Sequence, residues 1–251
     1  MSFILETQDL RHDFKGMKVI RGVDLQIRQG ERHAIIGPNG AGKTTLFNLV
    51  TGMYRPRHGH ILFKGQDVTK LKPYKRNRLG MGRSFQITSL FEHQTVFEHL
   101  RLGILSRMGV RYNFFKPMTM VKGLTEEVDA MLARVNLSEY RDQWASLLSY
   151  GKSRALEMTL TMATNPDLVL LDEPCAGMSA EETRNAVGLI RELTTGKSMI
   201  IVEHDMDVVF SLADRVTVLH YGKILACDTP SEIQKNKDVK DAYLGHGMKK
   251  Q

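Results

Sequence analysis

A chain of 251 residues, 42% hydrophobic and 25% charged, is long enough to bury a sizeable core in one large domain or two small ones, which excludes a disordered or fibrous protein. Lys+Arg 35 against Asp+Glu 28 gives a net charge of +7, but no dense basic block interleaved with aromatics accompanies it, so a nucleic-acid partner is not expected. Cys175 and Cys227 lie far apart in no C-x-x-C pattern, and the start Met1-Ser2-Phe3-Ile4-Leu5-Glu6 has no signal-peptide character, so reduced thiols in the cytosol are expected.

In chain order, Phe3 to Leu10 and Val19 to Ile27 alternate apolar with polar residues and predict two strands of a half-exposed antiparallel sheet. Phe14 lies between them and is either a packed hairpin residue or an aromatic able to stack on a nucleotide base. The apolar run His33-Ala34-Ile35-Ile36 then leads into Gly37-Pro38-Asn39-Gly40-Ala41-Gly42-Lys43-Thr44, and Thr45 to Val50 continue at helical spacing. This is the pattern G-x-x-x-x-G-K-[ST] in its strand–turn–helix setting. The glycines let backbone N–H groups wrap phosphate oxygens at a helix N-terminus, Lys43 supplies a point charge, and the Thr44 hydroxyl suits Mg²⁺. The next strand is predicted at Gly59 to Gly65. The stretch from Lys72 to Arg83 is the most basic in the chain, and reads as a solvated face or as a contact with lipid headgroups.

From Thr95 to Thr164 the periodicity becomes helical, with an irregular aromatic and basic insertion from Met108 to Gly123 broken by Pro117. The run Leu168-Val169-Leu170-Leu171 closed by Asp172-Glu173 predicts a fully buried parallel strand that delivers two carboxylates at its C-terminal end, where ligands of open α/β sheets collect. A helix from Ala180 to Leu193 and a second buried strand from Ser198 to Glu203, ending at His204, follow. A helix from Asp205 to Ala213, strands at Arg215 to His220 and Lys223 to Cys227, and short helices at Pro230 to Lys235 and Val239 to Leu244 complete the chain. The longest charge-free run, Thr44 to Tyr54, is well short of a membrane span, so a function at a membrane requires other subunits.

The order of phosphate loop, Gln86, Leu148-Ser149-Tyr150-Gly151-Lys152, the strand ending Asp172-Glu173, and His204 resembles the ATP-binding cassette of ABC transporters over nearly the whole chain. The resemblance implies an α/β fold: a P-loop NTPase (RecA-like) core over 1–87 and 165–228 with an antiparallel β subdomain, an inserted helical subdomain over 88–164, and a C-terminal tail over 229–251. It implies ATP and Mg²⁺ as ligands, with Gly37, Pro38, Asn39, Gly40, Ala41, Gly42, Lys43, Thr44 and Thr45 around the phosphates and Phe14 beside the base. Thr44, Gln86 and Asp172 would serve the metal, Asp172 through water. Glu173 would polarise the attacking water, His204 would contact the γ-phosphate, and Gln86 would act as the hinge glutamine. Ser149 and Gly151 would bind the γ-phosphate held by a second ATPase subunit. Two departures stand in that segment: Tyr150 replaces the first glycine of the family's LSGGQ pattern, and Lys152 replaces its glutamine. Ala176-Gly177-Met178-Ser179 occupies the D-loop position.

Within the family, Gly82-Arg83-Ser84-Phe85-Gln86-Ile87, Leu90-Phe91, Val96-Phe97-Glu98-His99-Leu100 and the tail ending Asp241-Ala242-Tyr243-Leu244-Gly245 look like the import ATPases for branched-chain amino acids. The insertion near Met108 to Gly123 suits the larger of the two unlike ATPase subunits these importers carry. The partners implied are a second ATPase subunit, identical or not, transmembrane permease subunits and, indirectly, a solute-binding protein. The location implied is the inner face of the cell membrane. The alternatives are an exporter ATPase of the lipopolysaccharide type and a soluble ABC ATPase in nucleic-acid or cofactor metabolism.

Overall fold

Two sheets divide the strands according to how their residues alternate. The computed structural model describes residues 2–84, 90–109 and 123–244. The N-terminal strands β1 (Phe3–Phe14) and β2 (Met17–Arg28) pair antiparallel and run further than the apolar alternation predicts, with Phe14 opposite Met17 beside the turn Lys15-Gly16. Both turn residues have positive φ, the conformation of a two-residue hairpin whose twist matches its strands. With β4 (His58–Phe63) and β5 (Gln66–Asp67) they make a four-stranded sheet in the order β2-β1-β4-β5.

The continuous apolar runs go to the second sheet, in the order β10-β9-β3-β8-β7-β6. Its centre is parallel: β3 (Arg32–Ile36) lies between β8 (Ser198–Val202) and β9 (Arg215–His220), and β7 (Leu168–Asp172) lies between β8 and β6 (Met81–Arg83). Every residue of β7 and β8 is buried, as strands covered on both faces require. The antiparallel strand β10 (Lys223–Asp228) closes one edge.

Helix α1 (Lys43–Thr51) follows β3 through the glycine loop. One helix is absent from the sequence reading, α2 (Pro73–Arg78), which starts at a proline. It corrects the basic stretch in part. Lys70, Lys72, Lys75 and Arg78 are exposed, but Arg76 is 1% exposed and donates to the carbonyls of Leu49, Val50, Thr69 and Leu71. A cation there completes the C-terminal carbonyls of α1, although burial draws its pKa down to about 10. The helical block comprises α3 (Val96–Arg107), α4 (Leu124–Arg134) and α5 (Tyr150–Ala163), with two short 3₁₀ turns between α4 and α5.

Helix α6 (Ala180–Leu193) has the predicted bounds, set at its start by a capping box in which Ser179 and Glu182 satisfy each other's backbone N–H. Helix α7 (Met206–Leu212) is capped by Asp205, and α8 (Pro230–Lys235) and α9 (Lys237–Leu244) end the described chain. One apolar cluster runs from the helical block (Leu100, Ile104, Leu132) through Val169, Leu171 and Ile201 of the second sheet to Ile233 and Val239 of the last two helices. A second cluster joins the antiparallel sheet to α1 and the opposite face of the second sheet. The second sheet is therefore covered on both sides.

Candidate active site

The loop from Gly37 to Thr44 leaves the C-terminal end of β3 at the centre of the second sheet. At Gly37 (φ 154) a Cβ would lie 2.2 Å from the Leu219 carbonyl oxygen, and at Gly42 (φ 104) it would crowd Ile20 and the Val19 carbonyl at 3.0 and 3.1 Å. Neighbouring strands thus force glycine at both positions, whereas Gly40 faces open space. The Ala41 carbonyl accepts from Gly222 N–H, so the turn between β9 and β10 braces the loop. Lys43 is buried, its Nζ donating to the carbonyls of Gly37 and Pro38 at 2.7 and 3.3 Å. Burial lowers its pKa, and the carboxylates of Glu173 and Asp172 oppose that shift. Thr44 is exposed at the start of α1, with Thr45 half-buried beside it.

The acid-ended strand lies two places along the sheet from β3. Asp172, 2% exposed, ends β7, and its Oδ2 is buried with no hydrogen-bond partner. Burial pushes its carboxyl above the usual carboxylate range, against the pull of Arg83 and Lys43. A buried carboxylate oxygen that accepts no hydrogen bond and is electrostatically coupled to the phosphate-loop lysine is a donor that fits a hard divalent cation or a water bound to it. Among the described residues no cluster of three or more His, Cys, Asp or Glu side chains exists, so such a cation would need phosphate and water oxygens as well. The next residue, Glu173, is half-buried and held at φ 47, its N–H donating to the Val202 carbonyl at 2.8 Å. A non-glycine residue in the left-handed region carries strain, here imposed by β8 on the turn that redirects the chain away from the sheet.

His204 follows β8, with its side chain 66% exposed and Nδ1 3.8 Å from Glu203. Glu203 itself is 1% exposed and was not singled out by sequence reasoning. Its two oxygens accept from Cys175 N–H at 3.0 Å and His204 N–H at 3.2 Å, which ties the turn after Glu173 to the segment carrying His204. Arg83 was also missed as a site residue. It lies at the end of β6, donates to Asn48 and Thr51 of α1, and sits 3.7 Å from Asp172 Oδ2. Only Glu203 had a signal in the sequence, as the charged residue that follows the apolar run Met199 to Val202; Arg83 ends a strand of three residues, too short to read. Gln86 lies outside the described residues.

Phe14 is half-exposed, in edge-to-face contact with His12 and Tyr54 at centroid distances of 4.8 and 5.5 Å. Ser149 is the exposed N-cap residue of α5, with Gly151 two residues on, and adding a Cβ at Gly151 would meet nothing within 4 Å. The groove beside them is lined by α5 and α6 and by no residue of the phosphate loop. One chain therefore brings Lys43, Asp172 and Glu173 together but leaves Ser149 and Gly151 on a different groove. Lys152 lines the same groove, its Nζ donating to the Tyr140 hydroxyl and lying 3.9 Å from that ring's centroid.

Comparison with known proteins agrees with this geometry. The family model described as ABC transporter matches residues 20–176, and that described as branched-chain amino acid ATP-binding cassette transporter matches residues 223–249. The high-affinity branched-chain amino acid transport ATP-binding proteins BraF of Pseudomonas aeruginosa and LivG of Escherichia coli are each 36% identical, over 96% of this chain and 98% of their own. The lipopolysaccharide export system ATP-binding protein LptB of Acidithiobacillus ferridurans is 32% identical over 98% of both chains. A crystallised ATP-binding cassette of an ABC transporter superposes with a TM-score of 0.84 at 28% identity, over 97% of this chain and 99% of that one. With the family's profile running through more than half of the sequence and relatives aligned along nearly all of it, this chain belongs to the ABC transporter family, among its nucleotide-binding ATPase subunits.

Proposed function

We propose that the chain binds and hydrolyses ATP to energise an importer of branched-chain amino acids or a related small polar solute. The observation that carries the site's chemistry is the convergence of Lys43, Asp172 and Glu173 beyond the C-terminal ends of β3 and β7, parallel strands with β8 between them, where both carboxylates hold up the Lys43 pKa against burial and the Lys43 charge pulls on Asp172. The loop amides from Gly40 to Thr45 and the Lys43 ammonium bind the phosphates, and Thr44, Gln86 and, through water, Asp172 would hold Mg²⁺. Bound Mg²⁺ neutralises charge on the phosphate oxygens. Glu173, aimed by its left-handed backbone, accepts a proton from the attacking water, and His204 meets the γ-phosphate from the neighbouring strand end. Phe14 offers a half-exposed ring for the adenine.

The separation of Ser149 and Gly151 from the phosphate loop supports a head-to-tail pair of cassettes, in which the N-terminal amides of one chain's α5 face the nucleotide of the other. A groove lined by Leu90, Leu102 and Leu160 together with Asn77, Arg83 and Glu157 supports docking of permease subunits. Among the described residues no helix is long and apolar enough to cross a membrane. The subunit's proposed place, peripheral on the cytoplasmic face with a solute-binding protein reached only through the permease, rests on its likeness to the branched-chain transport ATPases. The match of the tail to the branched-chain family model supports the importer over the lipopolysaccharide exporter, whose ATPase is a more distant relative.

The test is Glu173→Gln in the assembled transporter. ATP turnover falls by about 10²-fold or more while nucleotide binding persists. Turnover at the wild-type rate in that variant would remove Glu173 from the role. Uptake of labelled leucine by vesicles containing the transporter, set against aromatic acids, urea and short amides, decides the solute.

A further inference from the structure

Tyr150 stands where the family pattern has a small residue, and its hydroxyl is fully engaged. It donates to the Ala176 carbonyl at 2.8 Å and accepts from Nε and Nη2 of Arg154, both at 3.3 Å. One donor and two acceptor sites are all a phenol possesses. Arg154 is in turn fixed by Glu157, whose Oε2 lies 3.0 Å from Nη1, and its guanidinium lies 5.4 Å from the centroid of the Tyr150 ring. Glycine at this position would strip the Ala176 carbonyl and Arg154 of that partner.

The Ala176 carbonyl belongs to the tight turn that carries Glu173. Ala176 N–H donates back to the Glu173 carbonyl at 3.1 Å, Glu173 N–H reaches Val202, and the turn continues into Gly177, whose φ of 76 permits it. At the other end, Tyr150 is the first residue of α5, next to Ser149. Two short links therefore connect the helix N-terminus to the catalytic turn: the Tyr150 hydroxyl to Ala176, and Ala176 to Glu173.

We propose that Tyr150 is a positioning residue that fastens the N-terminus of α5 to the turn following Glu173. Engagement of Ser149 by the partner's nucleotide is then transmitted to this chain's own general base. The inference rests on the head-to-tail pairing argued above. It assigns to Tyr150 a mechanical link between the two nucleotide sites, which a glycine could not make, and leaves Lys152 outside it. Displacing α5 drags the Ala176 carbonyl through a directional hydrogen bond, and the turn is too short to absorb the movement before Glu173.

Tyr150→Phe removes the hydroxyl and keeps the ring, so packing against Arg154 survives. In the assembled transporter we expect kcat to fall about two- to tenfold, the range of one net hydrogen bond, with KM within about twofold and the Hill coefficient for ATP moving toward 1. Deuterium uptake by the Ala176 to Ser179 amides should rise in the variant, with the melting temperature unchanged. Wild-type kcat and Hill coefficient in Tyr150→Phe would overturn the proposal even if exchange rose. A fall in kcat/KM carried by KM alone would overturn it too, because the hydroxyl would then be a plain nucleotide contact. Glu173→Gln, run alongside, separates the two readings: an active Glu173→Gln undoes the assignment of the site, whereas an inactive one beside an unaffected Tyr150→Phe undoes only the tie.

Discussion

Arg83 makes direct contact with the phosphate-loop helix and stands close to the acid-ended strand. Its Nη1 donates to Asn48 and Thr51 on the phosphate-loop helix, its guanidinium lies 4.8 Å from the Phe47 ring centroid, and Nη2 stands near Asp172. Burial lowers its pKa while the Asp172 charge works the other way, as for any partly desolvated ion pair. Arg83→Gln leaves Asp172 without its nearest cation and removes the guanidinium donor from Asn48 and Thr51, a loss of about 1–3 kcal/mol, or about 2–12 °C in melting temperature of the nucleotide-free chain. Arg83→Lys restores the charge but not the fork and should recover only part, which differential scanning fluorimetry would read directly. Sequence reasoning grouped this side chain with a basic surface stretch because charge is legible in a sequence and burial of a charge is not. Glu203 was passed over for the same reason. Asp172 and Glu173 were legible because four apolar residues in a row announce a buried strand whose end must lie at a ligand-binding edge.

At the scale of elements, legibility followed length and local chemistry. The bounds of α6 were readable because Ser179 and Glu182 form its capping box three residues apart. By contrast α2 has six residues and β6 three, too few for either to show a period, and β6 is a strand only because β7 lies beside it. The small hairpin of β4 and β5 holds by a carboxylate instead. Asp67 accepts from the hydroxyl and N–H of Thr69 and from His60, and these contacts draw its pKa down to about 2. A carboxyl depressed in the folded state contributes stability that is fully present above its unfolded value of about 3.9 and is lost as pH falls through the folded value. The stability difference between wild type and Asp67→Asn, measured by urea unfolding, should therefore be constant above about pH 5 and shrink between about pH 4 and pH 2. Because the group is largely exposed, the difference should also diminish in high salt.

For the whole molecule, the tail is structural. Ile233 is 1% exposed within the cluster that also holds the helical block and the second sheet, so Ile233→Ala should cost about 2–5 kcal/mol and lower the melting temperature by roughly 4–20 °C. Read in order, the sequence yields all but the short elements α2, β5 and β6, together with the segments proposed to make the site. It does not yield their arrangement, since nothing local says that β3 lies between β8 and β9. That arrangement has a consequence in time. Gly30 N–H, just before β3, bonds to Ser198 Oγ, 168 residues later, and His33 within it bonds to Thr217, 184 residues later. A ribosome adding about 5–20 residues per second needs about 8–40 s to supply those neighbours, while the antiparallel hairpins near the N-terminus can close at once. The strand that leads into the phosphate loop spends that interval with both edges unpaired. The nascent subunit is thus most exposed to aggregation through its central strand, and a nucleotide can assist its folding only once nearly all of the chain has been made.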